Sequence, residues 1–156
     1  MNMWWLDALL HLVVGYPIYQ ILGTIRHELS HALAYWLAGY GVKELRVFPF
    51  RDKDGTFYWG RIVPEPRMGA KHTIHMHLAP YYTNTVLVGG WVVFALALWQ
   101  RIETLDAVNR LEYNLLLMFA ILLFVSPIVD TGYNLYKYLW RGAGDFARAA
   151  EFSRLH

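Results

Sequence analysis

Apolar positions in this chain come in long blocks instead of short stripes. Residues 78–100 contain no Asp, Glu, Lys or Arg, and within residues 113–136 the only charged residue is Asp130. A helix needs about 20 apolar residues to cross hydrocarbon, so each run is long enough. A further apolar region, residues 8–42, is interrupted only by Arg26 and Glu28. The pattern predicts a membrane all-α fold with about three transmembrane helices, over residues 8–40, 78–100 and 113–137. The first is long enough to be one kinked helix or two segments. In the linker that follows it, Glu44-Leu-Arg-Val-Phe-Pro and Thr56-Phe-Tyr-Trp-Gly-Arg-Ile-Val flank the turn residues Asp52-Lys-Asp-Gly, which predicts a β-hairpin over residues 44–63, ended by Pro64 and Pro66. Residues 142–156 set Phe146, Ala149, Ala150 and Phe152 against Asp145, Arg148 and Glu151, the pattern of a short peripheral helix. All 156 residues then form a single membrane-embedded domain.

Charge orients the spans. Lys43, Arg46, Arg51, Lys53, Arg61, Arg67 and Lys71 lie between the first two, whereas only Arg101 and Arg110 separate the second from the third. The hairpin linker is therefore expected on the cytoplasmic side, with the C-terminus beside it and the N-terminus outside, in the cell membrane. The opening residues lack the basic start and cleavage site of a signal peptide, so the first span is expected to stay in the bilayer. Hydrophobic residues at 56% and aromatics at 17% exceed what an ordinary soluble domain carries. A mean hydropathy of only +0.25 keeps a soluble protein with apolar core helices as the opposing reading. The net charge of +2 is too small to imply a nucleic-acid partner. The chain has no cysteine, so a bound metal must rest on His, Asp or Glu.

The candidate chemistry lies inside the first apolar region, in His27-Glu28-Leu29-Ser30-His31. Two histidines four apart share one helical face and can grip a single zinc ion. Glu28 then stands beside the metal's water and can take its proton. If the helix ends near Gly39, His31 lies roughly 12 to 15 Å from its cytoplasmic end, and Asp130 lies at a comparable depth of roughly 10 to 16 Å in the third span. An unpaired aspartate in hydrocarbon costs a few kcal/mol, so Asp130 is expected as the third zinc ligand, with pairing to Arg26 or capping of the helix after Pro127 as the alternative. His72, His75 and His77 have no spacing that makes a second site and read as interfacial histidines, and His11 reads as interfacial or packed.

These residues together resemble the site-2 protease family of intramembrane zinc metalloproteases. Ala79-Pro80-Tyr81-Tyr82-Thr83-Asn84 resembles that family's G-P-x-x-N element, with alanine in place of the glycine and one extra residue before Asn84. Pro127-Ile-Val-Asp130-Thr-Gly132 resembles its P-x-x-D-G element, with Thr131 inserted. The resemblance implies an intramembrane zinc endopeptidase acting on a membrane-spanning protein or peptide, with Asn84 facing the substrate or the developing oxyanion. The edge of the hairpin, at Val47, is expected to align an unwound substrate as an added strand. A zinc-binding membrane module and a regulatory subunit without peptidase activity are the rival classes, and the intact Glu28 argues against both.

Overall fold

The computed structural model describes residues 4–68, 71–99 and 110–155. Arg101, used above to orient the spans, lies outside the described residues. The first apolar region folds as two helices, α1 (Trp4–Val13) and α2 (Tyr16–Leu37), which meet at a bend of 56°. Pro17 occupies the first turn of α2, where a helix needs no N–H donor and a fixed φ favours a fresh start. His11 of α1 is packed, meeting the hydroxyl of Tyr19 and lying 2.9 Å from Asn114 Oδ1.

The expected hairpin is present and longer than predicted. Strand β1 (Gly41–Arg46) pairs antiparallel with β4 (Arg61–Glu65), and nearer the tip β2 (Phe50–Arg51) pairs with β3 (Phe57–Tyr58). The tip closes through Gly55 N–H on Asp52 O at 2.9 Å, with Gly55 at φ +81°. Between the two ladders, residues 47–49 face residues 59–60, and three against two cannot stay in register. Val47 falls in this break, so the placement of Val47 on an edge strand is corrected: β1 ends at Arg46. Pro49, which has no N–H to give to a ladder, lies in the same interruption.

Helix α3 (His75–Trp99) covers the second apolar run. The third run is continuous from α4 (Arg110–Ala120) through a π-helical turn at Ile121–Val125 into α5 (Ser126–Arg141). Pro127 helps explain that turn. Ser126 N–H bonds to Ile121 O, one residue further back than in an α-helix, and Pro127 has no N–H for Leu122 O. The carbonyl left over is taken by Arg26 of α2, whose Nη1 donates to Leu122 O at 3.2 Å. Gly142 and Gly144, at φ +58° and +91°, then turn the chain into α6 (Asp145–Leu155), the expected peripheral helix.

Among the described residues one helix, Glu112–Arg141, is long and apolar enough to cross a membrane, or two if the bent α1–α2 pair is taken as one span. Only 11% of the apolar window in that helix is buried within the protein, unlike the core helix of a soluble domain. The buried residues are mixed: Thr24, Glu28, His31, Asn84 and Asn134 lie inside beside Tyr35, Met76, Tyr81 and Ile121, while Leu33, Trp36, Val86, Val93, Leu139 and Trp140 face outward.

Candidate metal centre

His27 and His31 come from successive turns of α2, and their rings stand edge to face with centroids 4.9 Å apart. Their ring nitrogens are oriented from behind by different elements. His31 Nδ1 lies 2.7 Å from Met76 O in the first turn of α3. That carbonyl is free because its α-helical donor would be the nitrogen of residue 80, which is Pro80. A carbonyl only accepts, so His31 Nδ1 carries the proton and Nε2 points inward. His27 Nδ1 lies 3.0 Å from Asp130 Oδ2, which in the same way leaves His27 Nε2 to face the centre.

Both Nε2 atoms look at one carboxylate oxygen. Asp145 Oδ2, from the first turn of α6, lies 3.2 Å from His27 Nε2 and 3.4 Å from His31 Nε2. The three donor atoms lie within 4.8 Å of one another, the convergence that metal ligands need. The Tyr81 hydroxyl donates to the same oxygen at 3.0 Å, and the Tyr81 ring stacks on Phe146, next to Asp145, at 4.1 Å. Burial would raise the Asp145 pKa, but the hydrogen bonds and positive charge of His27 and His31 together hold it well below the ordinary carboxylate range. With Nδ1 turned elsewhere, both imidazoles aim Nε2 at one carboxylate, an arrangement satisfied either by protons on Nε2 or by a cation bound among the three. The donor set fits Zn²⁺: two neutral imidazoles and a carboxylate, with the other ring nitrogens oriented by a carboxylate and a carbonyl.

Asp130 was expected as the third ligand; the structure brings it against His27 but leaves it outside the converging cluster. Asp130 meets His27, one turn from the His31 whose depth it was expected to share, and does so on Nδ1, the ring edge away from the converging atoms. It is braced there by Asn84 Nδ2 at 2.9 Å and by Asn134 Nδ2 at 3.1 Å, with Arg26 Nη2 at 3.9 Å. Asn84, expected to face substrate, spends its amide on Asp130, Thr131 Oγ1 and Pro127 O, and ties α3 to α5. Asp145 was not singled out as a site residue. An acidic residue at a helix N-terminus fits the helix dipole, so its position carries no mark of metal binding. The one available signal was its place directly after the Gly142-Ala-Gly144 turn.

Glu28, between the two histidines in sequence, is buried at 8% exposure. Its carboxylate accepts no hydrogen bond within 3.5 Å among the described residues. His72 and His77 face each other, Nε2 to Nε2 at 3.1 Å, and His75 meets Tyr82, so the three do not join the cluster. Compared with known proteins, the chain matches no family model, no curated protein and no solved structure.

Proposed function

We propose that this chain is an integral membrane zinc endopeptidase that hydrolyses peptide bonds of membrane-spanning substrates. The observation that carries the reading is the convergence of His27 Nε2, His31 Nε2 and Asp145 Oδ2 within 4.8 Å, with Glu28 on the same helix. A zinc ion held there supplies Lewis acidity, which makes water a nucleophile near neutral pH and polarises the scissile carbonyl. Glu28 takes the proton of the attacking water and returns it to the departing amine. Asp130 and Met76 O hold the two imidazoles in the tautomer that leaves Nε2 free. Asn84 and Asn134 hold Asp130 in turn, so a buried carboxylate is kept oriented by amide donors.

The membrane reading is supported by the exposed apolar surface of Glu112–Arg141 and by the polar groups buried while large apolar side chains face outward. We place the protein in the cell membrane with three crossings: the bent α1–α2 pair, α3, and the α4–α5 helix. The hairpin and α6 lie on the cytoplasmic side and the N-terminus outside, in keeping with the distribution of Lys and Arg. The side of β1 not paired with β4 offers an extended edge on which an unwound substrate segment can add as a strand.

The test is metal analysis and cleavage of a transmembrane peptide by the detergent-purified protein, wild type beside Glu28→Gln. One zinc per chain in both, with cleavage by the wild type alone, supports the enzyme. Zinc in a wild type that cleaves no membrane peptide favours a non-catalytic zinc module, and absence of zinc removes the metal site altogether.

A further inference from the structure

Gly60 lies in the two-residue link between β3 and β4, where the hairpin meets α2. A Cβ built on it would stand 2.6 Å from Thr24 Cγ2 and 2.9 Å from both Cγ and Oε1 of Glu28. Unbonded carbon atoms settle at about 3.5 to 4.0 Å, so a side chain here would force Thr24 or Glu28 to shift. Gly60 is not among the glycines with positive φ, which means its backbone suits any residue and the close approach alone calls for glycine.

The contact matters because of what it touches. Thr24 and Glu28 lie four apart on α2 and present one surface to the hairpin. Thr24 is fixed by its hydroxyl bond to Gln20 O at 2.9 Å. Glu28 has no such bond among the described residues, so no polar partner selects its rotamer. What lies against it is the hairpin link at Gly60, too close to leave room for a Cβ. Its seat is firm, because β4 begins at Arg61, pairs with β1 through Arg46↔Arg61, and both strands pack on α2.

We infer that Gly60 is a positioning residue for Glu28: bare backbone lets the hairpin clamp the carboxylate beside the metal-binding imidazoles, and any side chain there displaces it. This rests on the reading of Glu28 as the general base. The metal donors are oriented by α3, α5 and α6, so displacing Glu28 leaves them in place.

The experiment uses the full chain in detergent, a transmembrane peptide substrate, zinc content and melting temperature. Gly60→Ala is expected to lower kcat about 10- to 100-fold, with KM changed less than about two-fold and zinc retained, as for a misplaced catalytic group. The double variant Gly60→Ala/Thr24→Ser removes the methyl that makes the nearest contact and keeps the contact with Glu28. It is expected to recover melting temperature and to leave kcat low. A single variant with wild-type kcat, or a double variant that regains it, overturns the proposal. So does loss of zinc in both, which would make Gly60 a residue of the fold only. An active wild type, an inactive Glu28→Gln and a fully active Gly60→Ala remove the role of Gly60 alone, whereas an inactive wild type removes the general-base reading and this role together.

Discussion

Asp130 Oδ2 stands 3.0 Å from Nδ1 of His27, while Asp145 Oδ2 stands 3.2 Å from Nε2 of the same ring. One imidazole thus lies between two carboxylates, and only Asp145 also faces His31 Nε2, so the proposed zinc site assigns Asp145 to the metal and Asp130 to orienting the ring. Asp145→Ala is therefore expected to lose stoichiometric zinc. Asp130→Ala is expected to keep it with affinity lowered about 10- to 100-fold, the usual effect of removing an orienting partner. Chelator competition on the purified variants measures both, and the opposite order would make Asp130 the ligand.

Glu28→Gln keeps the size of the side chain and removes its basicity. Zinc content should be unchanged and kcat should fall by about 10² to 10⁴. Chelation of the wild type should abolish cleavage, and added zinc should restore it. Cleavage by the glutamine variant at the wild-type rate would assign the base elsewhere.

Pro80 leaves Met76 O available to His31 at 2.7 Å. In Pro80→Ala the restored N–H competes for that carbonyl, and a hydrogen bond of this kind contributes about 1 kcal/mol. Zinc affinity should drop by a factor of about five while the metal-free protein melts no lower than wild type. An unchanged affinity would mean that the carbonyl serves both donors.

Gly144 holds φ +91° immediately before Asp145. A β-branched residue there forces the turn out of its left-handed conformation, at a cost of about 1 to 2 kcal/mol or more. Gly144→Val should move the start of α6 and weaken zinc binding about ten-fold or more, with α2 and the hairpin undisturbed. Titration with zinc checks the first and amide exchange of α2 the second.

Leu33, Trp36, Val93 and Trp140 face outward, and the proposed membrane placement gives them a hydrocarbon surrounding. The protein should remain with membranes washed at alkaline pH and high salt, and leave them only with detergent. Release without detergent would restore the soluble reading.

Local spacing alone placed His27, Glu28 and His31 on a helix, because i and i+4 share a face whatever the helix packs against. It also placed the hairpin turn at Asp52–Gly55 and the apolar blocks, since turn chemistry and block length are properties of short stretches. That Asp130 would come near the histidine pair was legible from its depth, comparable to that of His31, on a helix running in the same direction. Which ring edge Asp130 would reach was not, because that depends on the rotation of α5 about its axis, and the π-helical turn before Pro127 alters that rotation. Val47 was misplaced because a single unequal link between two ladders undoes strand alternation without changing composition. Asp145 and Gly60 owe their places entirely to tertiary packing. One arrives on a helix redirected by Gly142 and Gly144, the other on a strand link pressed against α2, and no periodicity relates either to His27. Contacts across more than 30 residues are set by how whole elements dock, so they emerge only when the chain is folded.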